Sequence, residues 1–322
     1  MMPDVTVVFV NWNRRDLLLQ CLRVLPAALG DLSAEVIVVD NASSDDSVEA
    51  LVGEFPSVQL IPNDKNLGFA AANNQALQVA SGRYALLLNT DTLPKPDSLR
   101  RLVAFADAHP RAGMVGALLL NPDGSFQASY ADFPSLHGET LLLVGLARRL
   151  LGPHFPNHGP HESREACRCD WVQGACLLAR REALNAIGLL DEGYFMYTEE
   201  TDWCAECQKA GWEVWYTPDA HIVHYGGQSA ARQPAVKRRQ LYSSKARFFR
   251  KQRGALASAC FRVIVQVTSA LKLMYWTLIT GAGRGERRAA ARMNMHAYMS
   301  VLGWSITCAR IVQGEQNERP YR

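Results

Sequence analysis

Residues 35–46 read Glu-Val-Ile-Val-Val-Asp-Asn-Ala-Ser-Ser-Asp-Asp (EVIVVDNASSDD). A run of β-branched residues without polar alternation predicts a strand buried on both faces, as in the interior of a parallel sheet. It ends on Asp40 and gives way to a polar, turn-like stretch, Asn41 to Asp46. Two further runs have the same character, Val5–Val10 (VTVVFV) and Tyr84–Leu88 (YALLL), with a shorter one at Val58–Ile61.

Helical spacing falls between these runs. Arg14–Leu25 places leucines at helical intervals and is predicted to stop at Pro26. Ser47–Phe55 and the Ala-rich Phe69–Ala80 read as further helices. Strands alternating with helices predict an α/β fold with a mainly parallel sheet. Beyond Gly113 the pattern is mixed: a strand at Met114–Leu120, a mobile Pro/His/Gly-rich loop at Gly152–Cys169, an apolar run at Trp171–Ala179, helices at Arg180–Ile187 and Thr201–Ala210, and a strand at Glu213–Tyr216.

The chain has 322 residues, 48% hydrophobic and 20% charged, enough for a sizeable core and against disorder. No basic, then apolar, leader opens it, so no secretory signal is expected, and its eight cysteines are expected to be reduced thiols. The net charge of +3 conceals a division. Residues 1–231 hold 16 Lys+Arg and 28 Asp+Glu (net −12), and residues 232–322 hold 18 and three (net +15). Two domains follow: an acidic α/β body over 1–231, and a basic, apolar, helical tail over 232–322.

Asp40 and Asp91 each follow a buried apolar strand. Ligands of open parallel sheets bind at that end of the strands. One such Asp is more readily a turn or helix cap; two favour a site. Glu199, Glu200 and Asp202 crowd within four positions beside Tyr194-Phe195-Met196. Acid runs commonly coat solvated helices, but crowding beside aromatics raises carboxyl pKa values and suits a general base. At strand spacing His221 and His224 face opposite sides and would not share one metal.

In chain order, VVFVNWN (Val7–Asn13), VVDNASSDDS (Val38–Ser47), NLGFAAANNQAL (Asn66–Leu77), LLLNTDT (Leu86–Thr92), WVQGACLLARREAL (Trp171–Leu184), FMYTEETDWC (Phe195–Cys204) and HYGGQS (His224–Ser229) resemble the inverting glycosyltransferases of family 2. The likeness covers roughly residues 4–252 and is strongest to their rhamnosyltransferase-like branch. It implies a GT-A fold, with a Rossmann-like, mainly parallel sheet flanked by helices. It implies nucleotide-sugar contacts from Asn11, Asn13, Asp40, Asn66, Gly68 and Asn89, with Asp40 on the pyrimidine base. Asp91 and His224 would be ligands of Mg²⁺ or Mn²⁺; Asn89 stands where the family often has a first Asp. Glu200 takes the position of the catalytic base, usually Asp, with Glu199 and Asp202 as rivals. Trp171, Gly174 and Ala175 would line the sugar and acceptor side.

The resemblance further implies a nucleotide-diphosphate sugar donor, dTDP-rhamnose ahead of a UDP-sugar, and a lipid-linked or glycan acceptor. A non-catalytic nucleotide- or glycan-binding protein of the same fold is the alternative of a different class. The chain lacks the glycine fingerprints of dinucleotide oxidoreductases and P-loop nucleotidases. Its first loop, Asn11-Trp-Asn-Arg-Arg, lacks the glycines of a sugar nucleotidyltransferase. Cys167-Arg-Cys169 is spaced by a single residue and Cys204-Ala-Glu-Cys207 falls in a helix after the acid motif, so neither pair is expected to hold zinc. In the tail, Ala255–Thr280 is apolar without Gly or Pro. Its best 20-residue window, Val263–Ala282, is interrupted by Lys272, at about 2.5–3.5 kcal/mol for insertion. An amphipathic helix on anionic headgroups is therefore expected, rather than a span or a nucleic-acid contact. The localisation this implies is cytoplasmic, peripheral on the inner face of the cell membrane.

Overall fold

The computed structural model describes residues 2–226, 234–282 and 286–307. It divides into two units, Met1–Phe133 with Leu151–Gly226, and Pro134–Leu150 with Gly227–Arg322. The strands of the first unit are β1 (Val5–Asn11), β2 (Ala34–Asp40), β3 (Gln59–Pro62), β4 (Tyr84–Leu88), β5 (Thr92–Pro94) and β6 (Ala112–Leu120). They continue as β7 (Phe126–Gln127), β8 (Tyr130–Ala131), β9 (Cys167–Arg168), β10 (Trp171–Val172), β11 (Cys176–Arg180) and β12 (Glu213–His224). Its helices are α1 (Arg15–Leu29), α2 (Ser47–Glu54), α3 (Phe69–Val79), α4 (Ser98–Ala108), α7 (Arg181–Ile187) and α8 (Glu199–Lys209); α5 and α6 lie in the second unit.

The main sheet runs β3-β2-β1-β4-β11-β6-β12-β5. The first four strands are parallel, as the β-branched runs predict. β11 runs antiparallel between β4 and β6, β12 is parallel to β6, and β5 is antiparallel to β12. Helices cover both faces. Leu18, Leu22 and Leu25 of α1 with Leu99, Leu102 and Val103 of α4 bury against one. Ala72 and Leu77 of α3 with Trp203 and Cys207 of α8 bury against the other. This is the α/β class read from the sequence.

Some expectations need correction. α1 does not end at Pro26 but runs on to Leu29, because Leu25, Ala28 and Leu29 are buried and hold its last turn. Pro26 itself is exposed. The strand begun at Glu213 does not stop at Tyr216; after a register shift between Thr217 and His221 it continues to His224. Residues 152–169 are no plain loop. They carry a short 3₁₀ turn at Glu162–Arg164 and strand β9, and Tyr216 Oη donates to the carbonyl of the buried Ser163 at 2.9 Å.

The second unit is helical: α5 (Leu136–Val144), α6 (Ala147–Leu150), α9 (Pro234–Arg253), α10 (Ala255–Ala282) and α11 (Glu286–Thr307). Leu143, Phe249, Phe261, Val265 and Val301 form its core. Chain order conceals that Pro134–Leu150 belongs with these C-terminal helices. Lys245 Nζ donates to Glu139 across that junction at 2.6 Å.

Proline inside a helix forfeits one backbone hydrogen bond and costs about 3 kcal/mol, partly offset by its stiffening of the unfolded chain. Pro26→Ala is therefore expected to raise the unfolding free energy by about 1–2 kcal/mol, read from the urea midpoint.

Candidate active site

The carboxyl ends of β1, β2 and β4 lie side by side along one sheet edge, and neighbouring strands are about 4.8 Å apart. Asn11 closes β1 and Asp40 closes β2, in register. Asn11 Nδ2 donates to Asp40 Oδ1 at 2.9 Å and to Ser43 Oγ at 3.1 Å, and Asp40 Oδ2 accepts from the Ser43 amide at 2.8 Å. Asn13, with φ +53°, accepts from the Ser44 amide at 2.7 Å. The strand-end loops after β1 and β2 are thus knitted together, and Asn11 Oδ1 is left buried without a partner.

Asn66 Oδ1 accepts from the Gly68 amide at 2.9 Å, and the Gly68 carbonyl accepts from Asn41 Nδ2 at 3.1 Å. Gly68 adopts φ +85°, where a side chain is strained, and an added Cβ would lie 2.4 Å from the Phe195 carbonyl oxygen. The next amide, Phe69 N, donates to that same carbonyl at 2.7 Å. Residues 66–69 are in this way fastened to the segment that leads into Glu199 and Glu200.

That segment is itself strained. Tyr197 and Thr198 take φ +70° and +71°, the left-handed region that β-branched residues avoid, before α8 begins at Glu199. The three acids singled out in the sequence fill the first turn of α8, where carboxylates suit the helix dipole. Glu199 and Asp202 are buried, and Glu200 is half-buried. Glu199 Oε2 and Glu200 Oε2 have no hydrogen-bond partner. Burial, and then the neighbouring Glu200 carboxylate, push the Glu199 carboxyl well above the usual range. Burial pushes Glu200 up to about 7. A carboxyl raised in the folded state binds its proton more tightly there than when unfolded. Glu200 therefore destabilises the fold as pH rises from the unfolded value of about 4.5 through about 7, and Glu199 acts in the same direction.

Gly174 and Ala175 lead into β11, and the Ala175 carbonyl accepts from the Asn89 amide at 3.0 Å. A Cβ on Gly174 would lie 3.5 Å from the Phe69 ring and 3.7 Å from Glu200 Cβ. Gly174, Phe69 and Glu200 therefore share one neighbourhood. Trp171 spends its indole N–H on the Asp132 carbonyl, at 3.0 Å.

Asp91 and His224 meet. β5 pairs antiparallel with the end of β12, setting Thr92 opposite His224, and the Tyr225 amide donates to the Asp91 carbonyl at 2.9 Å. His224 Nε2 lies 3.3 Å from Asp91 Oδ1. The other ring nitrogen, Nδ1, lies 2.6 Å from Gln127 Oε1. Gln127 Nε2 donates to the His224 carbonyl at 3.2 Å and to Asn121 Oδ1 at 2.9 Å, which fixes the amide orientation. Oε1 thus faces Nδ1, and Nδ1 carries a proton. Nε2 and Asp91 Oδ1 then face each other as two acceptors unless a cation, a proton or a metal ion, stands between them. Gln127 was not among the residues read from the sequence. It sits on two-residue β7, and no local pattern marks it. His221 turns out to serve the backbone: its carbonyl accepts from Lys95 N and Ser98 Oγ. Of the last motif, Gly227–Ser229 lie outside the described residues.

Among the described residues no group of three His, Cys, Asp or Glu is placed to hold a metal. The described cysteines are free thiols.

The family model described as glycosyl transferase family 2 matches residues 6–186, and the chain belongs to that family. Within it the chain falls in the rhamnosyltransferase-like branch and is a glycosyltransferase. It is 33% identical over 218 residues to the N-acetylglucosaminyl-diphospho-decaprenol L-rhamnosyltransferase of Mycobacterium tuberculosis, over 62% of this chain and 69% of that one. It is 25% identical over 229 residues to the rhamnosyltransferase WbbL of Escherichia coli K12, over 69% of this chain and 83% of the other. A mannosyltransferase from Pyrobaculum calidifontis, solved with GDP-Man and Mn²⁺, shares the GT-A-type fold: TM-score 0.52, 18% identity, 96% of this chain and 88% of that one covered.

In ¹⁵N-histidine spectra, His224 is expected to carry its proton on Nδ1. Gln127→Leu should abolish that preference while leaving the unfolding free energy, read from the urea midpoint, within about 1 kcal/mol of wild type.

Proposed function

We propose that the chain transfers rhamnose from dTDP-rhamnose to a lipid-linked acceptor by a single, inverting, metal-assisted displacement. The observation that carries this reading is the meeting of Asp91 with His224 on the sheet edge that also bears Asp40. The similarity to the Mycobacterium tuberculosis N-acetylglucosaminyl-diphospho-decaprenol L-rhamnosyltransferase supports the donor sugar and the lipid-linked acceptor class.

Asp40, Asn11, Asn13, Asn66, Gly68 and Asn89 would hold the nucleotide side of the donor. The unpartnered Asn11 Oδ1 suits a donor group on that ligand. Asp91 and His224 fit a divalent ion, Mg²⁺ or Mn²⁺. They present one oxygen and one nitrogen acceptor 3.3 Å apart, and the histidine is oriented by its second nitrogen. A site with two protein ligands leaves the remaining coordination to phosphate oxygens, as is usual for Mg²⁺. Such an ion supplies neutralisation of the charge that grows on the departing diphosphate.

Glu200 would take the acceptor hydroxyl's proton as that oxygen attacks the anomeric carbon. Its buried carboxyl, raised to about 7, is matched to proton transfer near neutrality. It lies in the same neighbourhood as Gly174, which would line the acceptor side. Glu199 then acts as a neighbour that helps keep the shared charge low, and Asp202, buried within α8, is the lesser candidate. The α/β body is read as the catalytic domain. The basic C-terminal helices are read as the part that keeps the enzyme peripheral on the cytoplasmic face of the membrane, where a lipid-linked acceptor is reached.

Glu200→Gln should lower kcat by roughly 10²–10⁴-fold, the range for loss of a general base. Asp91→Ala should abolish turnover. Wild-type kcat should rise from pH 5 to pH 8, because protonated Glu200 cannot accept a proton. Unchanged turnover in Glu200→Gln would refute the assignment. In a thermal-shift screen, dTDP-rhamnose is expected to raise Tm only with Mg²⁺ or Mn²⁺ present. A larger shift with a UDP-sugar would reassign the donor.

A further inference from the structure

Helix α10 distributes its side chains the wrong way round for a soluble helix. Ser258, Thr268 and Ser269 turn inward, whereas Thr277 is exposed. Ser258 Oγ donates to the Ala246 carbonyl at 2.8 Å, Thr268 Oγ1 to the Ile264 carbonyl at 2.7 Å, and Ser269 is buried. Lys272, the charge that interrupts the apolar window in the sequence, points its ammonium over the Tyr298 ring at 5.7 Å. The outward positions are Leu256, Val263, Val267, Leu271, Met274 and Leu278, each more than half exposed. Their spacing of three, four and seven puts them on one stripe. Over 22 residues at about 1.5 Å each, it is about 33 Å long. No charged side chain is among the exposed positions described on α10.

What covers this stripe is indicated by the charge around it. Arg250, Lys251 and Arg253 close α9 directly before α10 begins, and all three are exposed. Arg148 and Arg149 of α6 are exposed beside Leu146 and Leu150. Glu139 is the sole acid among the described side chains of this unit, and Lys245 already pairs with it. An apolar stripe in a unit rich in exposed cations, whose single described acid is already paired, complements an anionic bilayer surface.

We infer that α10 lies in the plane of an anionic phospholipid surface, seated by its Leu256–Leu278 stripe, rather than crossing the bilayer. The helix has the length and mean hydropathy of a span, 26 residues at 1.4. Its neighbours forbid that position. α9 packs along it with Lys237, Arg247 and Arg250 exposed, and α11 presents Arg292 and His296. A crossing would carry these charges into hydrocarbon. This inference rests on the membrane reading of the preceding section and names the face that executes it.

The test uses the full chain with vesicles of phosphatidylcholine alone and with added phosphatidylglycerol, scored by co-sedimentation. Binding is expected only with phosphatidylglycerol. Val267→Glu and Leu271→Glu should each weaken it at least tenfold, and Val52→Glu, an exposed apolar site of the first unit, should not. Leu271→Trp, which keeps the stripe apolar, should show fluorescence quenched by brominated lipid. Alkaline carbonate should release the enzyme from cell membranes. Wild-type binding that survives both stripe substitutions overturns the inference and leaves the membrane reading standing. Absence of wild-type binding overturns both. Carbonate-resistant enzyme would establish a span, and a dimer made monomeric by the stripe substitutions would assign the stripe to a second copy; either overturns it.

Discussion

The antiparallel pairing of β5 with the end of β12 is the contact on which the site depends. It sets Thr92 opposite His224, and so brings Asp91 within 3.3 Å of a histidine more than a hundred residues away in the chain. Three residues of β5 would be a weak strand alone. They hold because β12 is a long strand already paired with β6 over most of its length. The register shift after Thr217 matters here, since a strand that slips by one residue turns every later side chain to the other face. Gln127 then fixes the ring that the strand delivers.

The other half of the site is held by backbone under strain. Two consecutive left-handed residues, Tyr197 and Thr198, precede Glu199 and Glu200. Each such residue costs on the order of 1–3 kcal/mol, and the structure must over-determine it. Here the α8 core supplies that, with Trp203, Cys204 and Cys207 buried against the sheet and Trp203 Nε1 bonded to the Gly188 carbonyl at 3.0 Å. The result is two carboxyls in a buried first turn, each raised by lost solvation and one further by the other's charge. Lost solvation is the leading cause at both carboxyls, and the Glu200 charge adds to it at Glu199.

The parallel half of the fold was legible because strands buried on both faces leave continuous apolar runs: β1, β2 and β4 stand where VTVVFV, EVIVVD and YALLL placed them. Ordered motifs gave the family. The short strands were not legible. β5, β7, β8 and β10 have two or three residues, too few for any period; β5 and β7 exist because the longer β12 and β6 offer edges, and β8 and β10 pair only with each other. Gln127 was missed for that reason. Pro26 misled because a local breaker was weighed without the buried leucines that carry the helix past it. Lys272 reaches over the Tyr298 ring instead of joining the exposed apolar side chains of α10, a placement that no reading along the chain supplies.

Residues 66–69 and 195–200 are joined twice at one carbonyl, by the Phe69 amide and by the close approach that only a glycine at 68 permits. Exchange of either segment alone with that of a relative would leave a mismatched seam, whatever the merits of the transplanted side chains. Any exchange of these segments has to move both together as a single cassette.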